Sequence, residues 1–169
     1  LKNDSLFNIA TWVWLLQKQI ALQPDYKALL QIDYEIYVDY LSREWNEKHP
    51  RIWNDNVEDV FLSNIGMVYA ALWETKHVRK HYSVQKTMTK IRDYVFDNLL
   101  TGGTVISGKE NRNVSADQLL AVMPFGMFSP EDLIIVEAVQ KMQHQLEMRH
   151  GLLPYQGADD RDVAAATAM

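Results

Sequence analysis

The stretch from Arg51 to Ala71 has the sequence RIWNDNVEDVFLSNIGMVYAA, and its first half is polar while its second half is apolar. The polar half places a tryptophan beside two amides and three acids within residues 53–59. The apolar half has helical spacing and predicts a helix over about residues 57–77. The stretch therefore predicts a polar loop that leads into a buried helix.

Two interpretations of this polar loop are open. The face of the Trp53 indole can cover the apolar side of a sugar ring, while neighbouring carboxyl groups bind hydroxyls or exchange protons. Alternatively, Asp55 or Glu58 caps the following helix and complements its dipole, which is the commoner use of acids at such a position. Spacing alone does not choose between a sugar site and a helix cap.

The composition describes one globular domain. The sequence has 169 residues, of which 47% are hydrophobic and 23% are charged, so it can bury a core. A net charge of −5 argues against a nucleic-acid partner, because phosphate contacts need clustered cations. The absence of cysteine excludes a disulfide scaffold and a thiolate zinc site, and it is typical of a cytoplasmic protein. No apolar run reaches the roughly 20 residues that a membrane span needs.

The two ends of the sequence suggest a longer parent. The first residue is Leu1 instead of methionine, and the last residues, DVAAATAM, have a helix-like composition with no stop signal. We therefore expect residues 1–169 to be a single helical domain that belongs to a larger polypeptide.

Helical spacing and capping residues predict six or seven helices and no strand pattern of note. Only the segment TVIS, at residues 104–107, suits a short strand. Paired helices of this kind suit either a bundle or a toroid of helical hairpins. The first predicted helix ends near Leu22, the second covers about 26–47 and the third covers about 57–77. The fourth runs from a Ser83 cap to Gly102 and Gly103, and the fifth covers 116–122 after a Ser115 cap. The sixth runs from a Ser129 cap to Gly151, and a seventh starts in the tail.

No metal or other cofactor is predicted. His77 and His81 are four residues apart, but the acid of the zinc-protease motif is missing between them. Asp159, Asp160 and Asp162 lack the full spacing of a calcium loop, and helix capping is the commoner use of such residues.

The order of landmarks resembles glycoside hydrolase family 15, the glucoamylase-like enzymes. In that family an Asp-Gly pair opens a helix, and a Trp-Glu pair carries the catalytic acid before a helix that ends in Ala-Leu. An Asp-Ala-Ser-Leu-Leu element with a Pro-Phe-Gly turn, a Pro-Asp helix start and a loop with Gly and Tyr follow. The counterparts here are Asp4-Ser5, Ile52-Trp53, Phe61–Leu72, Ser115–Phe128, Ser129–Asp132 and Gly151–Tyr155.

The resemblance implies an all-α fold made of the helical hairpins of an α/α toroid, with this chain forming about half of a six-hairpin barrel. It also implies inverting hydrolysis of α-linked glucosides by an acid and a base roughly 6.5–9.5 Å apart. The partner would be an oligosaccharide or an α-glucoside, bound by Asp4 and Trp53. Tyr155, like Trp53, lies in a polar loop and is placed in the same cleft. The sequence gives no oligomeric state.

Two departures from the family pattern matter. Asn54 falls at the position of the catalytic acid, and an amide cannot donate a proton as an acid does, so Asp55 or Glu58 would have to act instead. The general base of the family comes from the later half of the toroid, which this chain does not reach. Asn54 therefore also fits a non-catalytic carbohydrate-binding or regulatory module, and a helical protein-interaction scaffold is a third alternative.

Overall fold

The computed structural model describes residues 6–25, 34–52, 54–78, 82–148, 151–156 and 158. For residues 54–56, 77, 78, 82, 148, 151 and 152 it describes the backbone only. The described part is all-α, as the sequence predicts, and its short strands form three antiparallel two-stranded hairpins. The helices are α1 (Leu6–Leu22), α2 (Tyr34–Glu44), α3 (Leu62–Val78), α4 (Tyr82–Tyr94), a π-helix (Val95–Leu99), a 3-10 helix (Ala116–Ala121) and α5 (Leu133–Leu146). The strands are β1 (His49–Arg51), β2 (Asn54–Asp59), β3 (Leu100–Thr101), β4 (Thr104–Val105), β5 (Glu147–Met148) and β6 (Gly151–Leu152).

Helix α3 is the centre of the structure. Residues 61–72 are all buried, so the helix is apolar on nearly every side and packs against α1, α2, α4 and the 3-10 helix. Gly66 permits the close approach that its small size predicts, because a Cβ atom there would lie 3.1 Å from the Cα of Ala121. The buried hydroxyl of Thr75 donates to the Ala71 carbonyl (2.8 Å) and is also hydrogen-bonded to the Tyr34 hydroxyl.

The first predicted helix is confirmed as α1, which ends at Leu22. Apolar residues lie nearly all round this helix in the sequence, which predicts that it is buried on nearly all sides, and this prediction is wrong. Ile9, Ala10 and Val13 are buried, but Trp12 is 44% exposed and Leu15 is 54% exposed. α1 therefore buries one face. Asn3, Asp4 and Ser5, residue types that suit the N-cap of this helix, lie outside the described residues.

The predicted start of the third helix is also wrong. Residues 54–59 form strand β2, which pairs with β1 in an antiparallel hairpin, and α3 begins only at Leu62. His49 pairs with Asp59 and Arg51 pairs with Asn54, with an irregularity between Pro50 and Arg51. The pairing partner of a strand lies elsewhere in the chain, so the helical spacing downstream could not reveal it.

The sequence predicts that Gly102 and Gly103 end a helix, and this is wrong. They form the turn of the β3–β4 hairpin, with positive φ values of 60° and 81°. Two consecutive positive φ angles match the twist of a two-residue hairpin turn, which glycine adopts without steric cost. The short strand expected in TVIS is confirmed as Thr104–Val105.

The later helices differ from prediction at their ends. Ser115 occupies the N-cap position of the fifth helix, as predicted, but its hydroxyl donates to the Pro154 carbonyl (3.2 Å) and makes no capping hydrogen bond, and the helix is a 3-10 helix. Helix α5 starts at Leu133 and not beside Ser129, because Ser129 and Asp132 are joined in a turn by a backbone hydrogen bond to the Asp132 carboxylate (2.9 Å). α5 ends at Leu146, where the β5–β6 hairpin follows. The start of the second predicted helix and the Ala-rich tail lie outside the described residues.

None of the helices in the described ranges has the length and apolar character to cross a membrane.

Candidate functional site

The β1–β2 hairpin carries the residues that the sequence predicts for catalysis. Asn54 and Asp55 begin β2, which follows the turn at Ile52, and Asn54 pairs with Arg51. Glu58 pairs with Pro50 and its side chain is exposed. The structure therefore brings these three candidates onto one short strand at the entrance to α3.

The predicted sugar-binding residues are placed differently. Asp4 and Trp53 lie outside the described residues. Tyr155 is buried, with 7% of its surface exposed, and its ring centroid is 5.1 Å from the Cζ atom of Arg51. A role for Tyr155 in sugar binding stays a prediction.

The carboxylate of Asp59 fixes the end of the hairpin against a distant loop. Its Oδ1 accepts a hydrogen bond from the Val60 N–H (2.7 Å), and its Oδ2 accepts two, from Glu110 (2.8 Å) and Asn111 (2.7 Å). Asp59 is 1% exposed, so these backbone donors replace its water. Because β2 ends at Asp59, the strand that carries the candidate acids is tied to the 108–111 loop.

Charges at this end of the molecule are mixed. Lys48 is exposed, and the pKa of its ammonium group is raised, mainly by its hydrogen bond to Glu110 (2.6 Å). His49 is half-buried, and burial lowers the pKa of its imidazole despite the nearby charges of Glu44, Glu47 and Glu58. The lowered pKa favours the neutral imidazole at pH 7, and the buried Nε2 of His49 has no hydrogen-bond partner within the described ranges.

Behind the hairpin lies a buried polar cluster, the Arg51 cluster, which sequence reasoning missed. Arg51 is 2% exposed, and its Nη2 donates to the Ser107 hydroxyl at 2.9 Å. Its Nε lies 4.0 Å from Oδ2 of Asp117, too far for a hydrogen bond. The Arg51 cluster consists of Arg51, Phe61, Ser63, Ser107, Asp117 and Tyr155.

Asp117 is the acid of this cluster and is 1% exposed. Burial raises the pKa of its carboxyl group, while the hydroxyls of Ser115 and Ser63 and the charge of Arg51 act in the opposite direction. Its Oδ2 accepts a hydrogen bond from Ser63 (3.0 Å), but its Oδ1 has no hydrogen-bond partner in the part of the chain that the structure describes. The resemblance to family 15 covers Asp117, yet nothing in the local pattern separates a buried acid from an exposed one.

Within the described ranges, no group of three or more His, Cys, Asp and Glu side chains is placed to hold a metal ion. The side chains of His77, His81, Asp159, Asp160 and Asp162 are not among those described, so the sequence expectation for them stays open.

Two described cavities lie away from the β1–β2 hairpin. One, of about 450 Å³, is mainly apolar and includes Phe96 and Phe128. The other, of about 580 Å³, is mainly polar and lies beside Trp45 and Tyr94, whose rings meet edge to face with centroids 5.5 Å apart. Neither cavity includes a candidate catalytic residue, so neither locates the candidate site.

Comparisons with solved structures connect this architecture to glycosidases. The chain is similar to a wild-type glycosidase, with a TM-score of 0.78 and 17% identity over 89% of this chain and 42% of that chain. It is equally similar to a glycosidase variant in complex with glucose, with a TM-score of 0.78 and 18% identity over the same shares of the two chains. No protein-family model and no curated protein matches the sequence. The chain spans about two fifths of the length of these glycosidases, and at this identity the likeness shows that it has the fold of part of a glycosidase.

Proposed function

We propose that the chain is part of a glycoside hydrolase-like α/α toroid, related to glycoside hydrolase family 15, that acts on α-linked glucosides. The observation that carries this proposal is the similarity of the fold to that of glycosidases over 89% of the chain. One of the similar structures is a glycosidase variant in complex with glucose. The placement of Asn54, Asp55 and Glu58 on one strand at the entrance to α3 supports it further.

In this proposal the β1–β2 hairpin supplies the general acid. Asp55 donates the proton to the leaving glycosidic oxygen, and Glu58 is the second candidate for that role. A carboxylate outside this chain activates the water from the opposite face of the sugar, which gives inversion and requires the two groups to lie roughly 6.5–9.5 Å apart. Asp4, Trp53 and Tyr155 contact the sugar.

Removing the acid tests the enzyme proposal. In the full-length gene product, Asp55→Asn should lower kcat on maltose by at least about tenfold to a hundredfold, as loss of a general acid does. Glu58→Gln, on the same strand, is the matched variant, and a larger loss there would transfer the role to Glu58. NMR of the first product should show the anomer opposite in configuration to the substrate. Unchanged turnover in both variants would refute the role of this hairpin.

A non-catalytic carbohydrate-binding module is the alternative, and Asn54 at the acid position favours it. Calorimetric titration of the wild-type full-length product with maltose, beside a glucose-release assay, separates the two functions. Binding without release supports the module, and release supports the enzyme. In a wild type that binds without release, Asn54→Glu should produce hydrolysis if position 54 faces the scissile bond. Neither binding nor release in the wild type would refute both functions.

A further inference from the structure

We propose that Arg51 is a positioning residue, whose buried guanidinium group fixes the turn that presents Asn54 and Asp55. The inference rests on the proposed function for its catalytic meaning, but its structural content is independent of the substrate. It follows from the position of Arg51 in the hairpin and from the contacts of its side chain.

The backbone position gives Arg51 direct control of the candidate site. Arg51 is the last residue of β1 and pairs with Asn54, the first residue of β2, at the end of the hairpin where the turn begins with Ile52. The register is irregular between Pro50 and Arg51, so the regular pairing of the hairpin does not determine where this turn lies. Contacts outside the strand ladder therefore contribute to the position of Arg51.

The side chain of Arg51 supplies that restraint. Its Cζ lies 4.7 Å from the ring centroid of Phe61 and 5.1 Å from that of Tyr155. Its Nη2 donates to Ser107 at 2.9 Å, and its charge faces the carboxylate of Asp117. These four partners lie at the entrance of α3, in the 107 loop, in the 3-10 helix and in the 151–156 segment. The side chain of Arg51 therefore connects the turn to four separate parts of the chain.

Two unpaired buried atoms argue against stability as the main role of this arrangement. The Nε of Arg51 and the Oδ1 of Asp117 are both buried without a hydrogen-bond partner among the described residues. A buried ion pair with unsatisfied atoms often contributes no more to stability than apolar residues of similar volume. A planar guanidinium group between two aromatic rings does define an orientation, which an ammonium group cannot reproduce. The geometry therefore points to positioning as the role of Arg51.

The first test is Arg51→Lys in the full-length gene product. This variant keeps the charge and loses the planar group, so kcat should fall about tenfold to a hundredfold through misplacement of the acid, while KM changes less than about twofold. Arg43→Lys, at an exposed arginine of α2, is the matched control and should leave both constants unchanged. Unchanged kcat in Arg51→Lys would overturn the positioning role.

The second test separates positioning from stability. The triple variant Arg51→Met, Ser63→Ala and Asp117→Leu replaces the charged pair and its hydroxyl partner by apolar groups. We expect its midpoint of urea denaturation to stay close to that of the wild type, while kcat falls as in Arg51→Lys. Loss of stability and activity together in this variant, with full activity in Arg51→Lys, would assign Arg51 a purely structural role.

The third test needs no substrate. Hydrogen–deuterium exchange should be at least about tenfold faster in peptides covering residues 49–59 of Arg51→Lys, with exchange in α3 unchanged. A wild type that neither binds nor cleaves α-glucosides would refute the proposed function, and the exchange result would still decide whether Arg51 fixes the turn. Exchange that is equal in both proteins, or faster in every helix, would overturn the inference.

Discussion

A Cβ atom on Gly108 would overlap the carboxylate of Asp59, because the two residues lie in direct contact where the 108–111 loop meets the end of β2. The same atom would lie 3.0 Å from the Cγ of Asp59 and 3.2 Å from the Cδ1 of Phe61. The Asp59 carboxylate cannot withdraw, since three backbone N–H groups hold it. The absence of a side chain at residue 108 is therefore a condition for closing this junction.

Gly108→Ala should lower the free energy of unfolding by about 2–3 kcal/mol, in the upper part of the range for overpacking a buried site. Urea denaturation of this chain measures the change. Gly102→Ala is the control, because a Cβ there meets no atom of the described residues within 4 Å and only the positive φ is strained, which costs about 1 kcal/mol. Equal losses at the two positions would contradict the contact with Asp59.

Asp59→Asn should lower the free energy of unfolding by about 2–4 kcal/mol, because its amide nitrogen would face a backbone N–H and leave a buried donor unpaired. Glu58→Gln makes the same chemical change at the exposed neighbouring residue and should shift stability by less than about 0.5 kcal/mol. Thermal and urea denaturation of both variants check this. Similar stabilities of the two variants would mean that the Asp59 hydrogen bonds contribute little.

Asp117 should give the protein a stability that falls as pH rises. Burial raises the pKa of its carboxyl group above the ordinary value of 3.8, so between these two values the folded state holds a proton that the unfolded state has released. Unfolding then releases a proton, and stability decreases by up to about 1.4 kcal/mol per pH unit across that window.

Asp117→Asn should remove this slope, which urea denaturation at several pH values from about pH 4 to pH 7 would show as a difference from wild type that changes with pH. The exposed acid Asp97 supplies the control, and Asp97→Asn should leave the wild-type slope in place. A difference between wild type and Asp117→Asn that is constant with pH would show that the carboxyl group does not titrate in this range.

Leu72→Ala should lower the free energy of unfolding by about 3–5 kcal/mol, since the residue is fully buried in α3 and its removal leaves a cavity. Leu133→Ala makes the same change at a residue that is 79% exposed and should cost less than about 0.5 kcal/mol. The comparison by urea denaturation measures whether α3 is the centre of the core, and equal effects would show that it is not.

The helices were predictable because apolar residues such as Ile65, Val68 and Leu72 recur at helical spacing. The same residues are buried in the folded structure, so local pattern and tertiary packing agree. The β1–β2 hairpin was not predictable, because strand β2 is mostly polar and depends on a partner segment. Gly102 and Gly103 fit both a helix end and a hairpin turn, and only the pairing of Thr101 with Thr104 decides between them.

The candidate site was predictable only in part. An indole followed by amides and acids marks residues 53–58 in the sequence. No local sequence pattern indicates that Arg51 and Asp117 are buried, because a charged residue in a polar stretch is usually solvated. Their burial results from packing between segments that are far apart in the chain. The sequence presents Asp59 as one acid among several in the polar loop, whereas in the structure its carboxylate accepts hydrogen bonds from three backbone N–H groups.

The β3–β4 turn offers a clean place for chemical attachment. Residues 101–103 are exposed, and the sequence contains no cysteine that would compete for a thiol reagent. Thr101→Cys would therefore place one reactive sulfur within these 169 residues, ready for a fluorophore or a spin label. Such a probe would sit outside the β1–β2 hairpin, so sugar binding or domain association could be followed by spectroscopy while the candidate acids remain untouched.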